Sequence, residues 1–186
     1  ALRPDAVVFA QAGYLVVTID YRGWGESDSR LIAAGKLQRK DGKLVGELLE
    51  VREVVDPIDQ TTDLLNALHW LQSEELCDRE RIGIWGSSFA GGHVVYVAAR
   101  DPRVKALVSQ VGSMDARWTI QDSRMRAETF RQGAARTRGQ LPYPKPGAKW
   151  GNLTGVPILE KLMGYSPIED IDRCDHCAKL FRSEAR

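Results

Sequence analysis

The sequence predicts an α/β protein: a mostly parallel sheet with helices on both faces, partial in extent, followed by a helical and loop segment that caps it. Three observations carry this. Short apolar runs suited to buried strands recur at 14–20 (YLVVTID), 81–86 (RIGIWG) and 104–112 (VKALVSQVG). Helical stretches fall between them at 57–73 and 89–101, and strand, helix, strand at this spacing gives parallel neighbours with right-handed crossovers. After Asp115 the character changes. Residues 116–150 hold Arg117, Arg124, Arg126, Arg131, Arg136, Arg138, Lys145 and Lys149 against Asp122 and Glu128, and a Pro-rich stretch at 141–147 is barred from a central strand.

Taken in order, residues 4–12 predict a short helix, with Pro4 at its first position and Gly13 just past its end. The strand at 14–20 then runs into a Gly-rich polar loop, YRGWGESD. Residues 31–55 are ambiguous. Asp41-Gly42 is a hairpin signal, while the apolar spacing at 44, 45, 48, 49 and 55 also suits a helix; the stretch is placed as an excursion at the sheet's edge. Asp56 is expected to cap the helix that starts at Pro57. Asp59 favours its positive first turn, and Leu64, Ala67, Leu68 and Leu71 form its apolar stripe.

The domain division expected from this is a partial core at 1–115, a cap-like segment at 116–165 and a C-terminal tail at 166–186. With 186 residues and a net charge of +1, the chain suits one domain, and nothing pulls it electrostatically toward nucleic acid or a membrane. No apolar stretch approaches a membrane span, and no basic leader with a hydrophobic run opens the chain, so a cytoplasmic protein is expected. Three cysteines make no disulfide framework and fit a reducing compartment.

The chemistry concentrates at RIGIWGSSFAGGH (81–93). A nucleophilic serine in a strand-to-helix turn needs small residues two before and two after it, because larger side chains collide with the turn. Ser88 meets this with Gly86 and Ala90; Ser87 would put Trp85 and Phe89 in those places. The turn would expose the Ser88 hydroxyl at the carboxyl end of the sheet, and the Phe89 N–H would be the first donor to an oxyanion. The bland alternative is close packing of a helix on a strand.

TIDYRGWGESD (18–28), followed by residues 81–112, resembles the α/β-hydrolase superfamily: its D-x-R-G-x-G-x-S loop and its nucleophile turn. Within it the chain is similar to dienelactone-hydrolase-like and Xaa-Pro dipeptidyl-peptidase (S15)-like enzymes, and polyketide thiohydrolases carry similar text. The match covers residues 1 to about 115. The resemblance implies an acid and then a histidine after the serine. Asp115 is the candidate acid, with a helix cap as its plainer role, and His176 is the candidate base. His93 sits on a helix running away from Ser88, so a direct hydrogen bond between them is not expected. His69 is placed as a surface or packing residue. The resemblance also implies strands and an oxyanion loop ahead of Ala1, so the chain is expected to be the middle of the fold, incomplete at both ends. The sheet edge this leaves would allow a homo-oligomer.

The expected function is hydrolysis of a small-molecule acyl compound, an ester, thioester or lactone, through an acyl-enzyme on Ser88. No cofactor is required. An Xaa-Pro peptidase and a non-catalytic fragment are the alternatives. Cys174-Asp-His-Cys177 has C-x-x-C spacing but too few neighbouring ligands for a structural zinc, so no metal is assigned. The basic, aromatic-bearing stretch after 116 is taken as a solvated cap surface rather than a nucleic-acid site, and no nucleotide-binding fingerprint is present.

Overall fold

The computed structural model describes residues 3–120, 123–145, 147–150 and 153–174. Its first element is helix α1 (Arg3–Gln11). Strands β1 (Arg30–Ala33), β2 (Gln38–Lys40), β3 (Lys43–Val45), β4 (Leu48–Val51) and β5 (Val54–Val55) follow. Next come α2 (Pro57–Leu71), β6 (Ile82–Ser87), α3 (Phe89–Ala98) and β7 (Val104–Gln110). A 3₁₀ turn at Ala116–Ile120 leads to α4 (Ser123–Thr137), β8 (Lys149–Trp150), β9 (Leu153–Thr154), β10 (Val156–Pro157), α5 (Leu159–Leu162) and α6 (Pro167–Asp172).

The centre is the β6–α3–β7 unit. β6 and β7 pair in parallel, with Trp85 opposite Val108 and Ser87 opposite Gln110. α3 lies on both strands, and α2 packs on α3. Leu68 of α2, Ile82 of β6, Val97 and Ala98 of α3 and Val104 of β7 form one buried cluster. The apolar stripe foreseen on α2 therefore faces this core: Leu68 is buried, with Leu64 and Leu71 packed against the cluster. Asp56 caps α2 by accepting from the Ile58 and Asp59 N–H groups at 3.0 and 3.2 Å. It is itself buried, and burial raises its pKa. Asp56→Ala should lower stability by about 1–2 kcal/mol in a urea titration, the usual cost of an N-cap.

Two expectations for the first half are corrected. Residues 14–20 form no strand, and none of the described strands pairs with them. A β conformation draws its hydrogen bonds from a neighbour, and an apolar run without one has no ladder to join. Tyr14, Leu15 and Val17 are accordingly exposed. The helical alternative at 44–55 also fails. β1 pairs antiparallel with β4, and β2 with β3. The tip is the Asp41-Gly42 turn, with both residues at positive φ (49° and 75°), the backbone that a two-residue hairpin demands.

Beyond β7, the 3₁₀ turn, α4 and α5 pack on one another. Ala116, Leu159, Leu162 and Tyr165 make a second buried cluster, which Phe89, Tyr96 and Met125 flank. α6 docks on α3 through Ile171 and Val95. Among the described residues no helix is long and apolar enough to cross a membrane. Cys77 is a free, half-buried thiol, and Cys174 is disulfide-bonded.

Candidate active site

The turn between β6 and α3 is built around one unusual residue. Ser88 has φ 57° and ψ −120°, a backbone that a side chain disfavours by about 1–3 kcal/mol. Its surroundings hold it there. The Ser88 N–H donates to the Gln110 carbonyl at 2.9 Å, and the Ser88 carbonyl accepts from Gly91 and Ser113, both at 3.0 Å. The small neighbours are a steric requirement. A Cβ at Gly86 would strike the Ala90 carbonyl, and one at Gly91 would lie 2.7 Å from the Gly112 Cα. The outcome is an exposed Ser88 at the carboxyl end of β6 and at the start of α3. As the first residue of α3, Phe89 has no carbonyl a turn behind it in the helix, so its N–H has no intrahelical acceptor.

The Gly-rich loop after residue 20 is pinned from several sides. Arg22 donates to Asp63 from its backbone N–H (2.9 Å), Nε (2.8 Å) and Nη2 (2.5 Å). Arg52 donates to the Gly25 carbonyl at 2.7 Å and to Ser29 Oγ at 2.9 Å. Tyr21, at the loop's start, meets the His93 ring edge-on at 5.8 Å. Burial and the Asp63 charge push its phenol up to about 12.

Among the described residues, the other candidates make their hydrogen bonds to groups other than Ser88. Asp115 binds the Arg117 guanidinium through both oxygens (2.8 and 2.5 Å) and accepts the Arg117 N–H at 2.9 Å. Those bonds hold its carboxyl below the usual range. The Arg117 N–H bond is the helix-cap role, and Glu169 takes the other side of the guanidinium. Among the described residues, no hydrogen bond joins Asp115 to Ser88 or to a histidine. His93 is fully buried, with its Nδ1 2.5 Å from the Tyr165 hydroxyl and its Nε2 2.9 Å from Gln60 Oε1. His69 is exposed, and Arg103 lies 3.2 Å from its Nδ1. His176 and Cys177 lie outside the described residues. Among the described residues no three His, Cys, Asp or Glu side chains are grouped to hold a metal ion.

The Gln60–His93–Tyr165 chain was not foreseen. Its members are 33 and 72 residues apart along the sequence. The one available signal was a histidine inside an otherwise apolar helix, where burial demands partners for both ring nitrogens.

The parallel β6–α3–β7 unit and the strained serine at its turn place the protein in the α/β-hydrolase class. The comparison with solved structures agrees: the α/β-hydrolase GrgF of Penicillium superposes over 95% of this chain and 62% of its own, with a TM-score of 0.60 at 19% identity. The chain belongs to the X-Pro dipeptidyl-peptidase (S15) family, whose model matches residues 2–149. Curated relatives include an uncharacterized 31.7 kDa protein of the traX-finO intergenic region of Escherichia coli, 39% identical over 59% of this chain. Another is the thiohydrolase aneE of Aspergillus aculeatus, 29% identical over 88% of this chain. The matches take in 31% and 44% of those two proteins, so the chain spans less than half the length of either.

Proposed function

We propose that the protein is a serine hydrolase of small acyl compounds, with a thioester or ester as substrate and Ser88 as nucleophile. The observation that carries this is the Ser88 backbone, which is strained, bonded in place and exposed beside a helix N-terminus. A packing turn has no need of such strain, whereas a nucleophile must be presented this way. The family match and the thiohydrolase relative support the chemistry.

In this reading Ser88 Oγ attacks the acyl carbonyl while a base takes its proton. A C–O bond forms, and the carbonyl π pair moves onto oxygen, facing the Phe89 N–H. Collapse of this intermediate expels the thiolate or alkoxide, which receives the proton from the base. Water then repeats the sequence on the acyl-enzyme and releases the acid. His69 and His93 are engaged elsewhere; His176 as base and Asp115 as orienting acid stay the assignments that the family resemblance suggests within this sequence. Residues 116–165 would cover the acyl group.

The family description favours a second reading, an Xaa-Pro dipeptidyl peptidase. Treatment with a fluorophosphonate, followed by intact-mass analysis, is expected to add one phosphonyl group. Turnover of an acyl thioester but not of an Xaa-Pro anilide would select the first reading, and the reverse the second. An unlabelled, folded chain would sink both.

A further inference from the structure

Gln60, His93 and Tyr165 come from α2, α3 and the connection between α5 and α6, and all three are buried. Their bonding order follows from chemistry. Gln60 Oε1 only accepts, so the hydrogen sits on His93 Nε2; Nδ1 is then an acceptor, and the Tyr165 O–H donates to it. Two directional bonds at opposite edges of a ring allow it one orientation. That ring in turn carries Phe89. The Phe89 and His93 centroids are 4.6 Å apart at 66°, and Phe89 also lies 5.7 Å from the Tyr165 ring.

The other end of the turn is tied to the same segment. Ser113 donates to the Ser88 carbonyl, Ala116 donates to the Tyr165 carbonyl at 3.0 Å, and Ile168 donates to the Met114 carbonyl at 3.0 Å. A Cβ at Gly92 would strike the Ser113 carbonyl oxygen and lie 3.0 Å from the Tyr165 hydroxyl, so the glycine lets α3 approach the Ser113 backbone first and Tyr165 beside it.

We propose that Gln60, His93 and Tyr165 are positioning residues for the Ser88 turn: a hydrogen-bonded series that fixes the Phe89 ring and, through it, the N–H facing the oxyanion. The physical need is specific. A strained residue keeps its conformation only where its surroundings over-determine it, and an oxyanion donor acts by being already in place. An apolar residue at 93 would fill the volume but leave the Phe89 ring free to turn. The segment bearing Tyr165 thereby sets the geometry of a site to which it contributes no reacting atom.

The proposal rests on Ser88 as nucleophile for its consequence, so two independent measurements are needed. Long-range ¹H–¹⁵N spectra of the histidine rings should show one Nε2–H tautomer that stays unprotonated from about pH 5 to about pH 8. In Tyr165→Phe that resonance should shift and Phe89 ring flips should quicken. Separately, Tyr165→Phe should slow fluorophosphonate labelling by about tenfold, the order expected when a donor is slightly misplaced. Leu68→Val, a core change away from the turn and comparable in lost stability, should label at the parent rate. Gln60→Leu, which removes the acceptor at His93 Nε2, serves as the second variant should Tyr165→Phe fold poorly; it is expected to slow labelling by about tenfold as well, and an unchanged rate in the folded variant overturns the positioning role. The opposite tautomer, or unchanged Phe89 flipping in Tyr165→Phe, overturns the series. Unchanged labelling in a folded Tyr165→Phe overturns its positioning role. A parent chain that shows the tautomer and the Phe89 effect yet takes no label overturns the assignment of Ser88 instead.

Discussion

Ser88→Ala is expected to take up no fluorophosphonate and to form no acyl-enzyme. Removing the nucleophile of a serine hydrolase costs on the order of 10⁶-fold in turnover. The loss should be clean, because the Ser88 backbone bonds to Gln110, Gly91 and Ser113 involve no Oγ atom. Stability gives a second test of the same turn. Alanine keeps a Cβ and therefore the strain at φ 57°, while glycine adopts that backbone readily. Ser88→Gly should thus be more stable than Ser88→Ala by about 1 kcal/mol in denaturant melts. Equal stabilities would mean that the turn is not strained, and the chief reason for treating Ser88 as a nucleophile would go with it.

The sequence made the central unit legible because its signals are local. The i, i+3, i+4 stripe of α2, the Asp56-Pro57 start and the Gly86 and Ala90 spacing around Ser88 each depend on a few adjacent residues. Residues 14–20 carry the same local signal and still form no strand, since pairing is a property of two segments and the second is not among those described. The hairpin at 38–45 was decided by two turn residues against an equally good helical spacing. The site divides in the same way. Gly86, Ser88 and Phe89 are singled out as candidates from spacing alone. Asp115 was placed near a strand end, but spacing does not reveal that Arg117 and Glu169 occupy its neighbourhood. Gln60 and Tyr165 bear no motif; only the folded chain brings them to His93.

The buried imidazole should also govern how the protein responds to acid. Burial lowers the His93 pKa to about 3, whereas an unfolded chain takes up the proton near 6.5. The sign follows directly. Below about pH 6.5 the unfolded state binds a proton that the folded state refuses, so stability is fully present above that pH and is lost as pH falls, down to the folded pKa. Integrated between about pH 7.5 and about pH 5, His93 alone accounts for about 2 kcal/mol. The other titratable groups against the ring are the Tyr21 and Tyr165 phenols, both raised by burial, and they stay neutral throughout this range. Chemical denaturation at several pH values should therefore show a steep loss on the acid side of neutrality. His93→Gln, which keeps a polar group but cannot titrate, should be less stable near neutral pH and distinctly flatter below it. The difference in slope is the decisive quantity, because every other titratable group is common to both proteins and cancels. Parallel slopes would mean that His93 takes up its proton within the folded protein, and the buried bonds to Gln60 and Tyr165 would then not be what holds the ring.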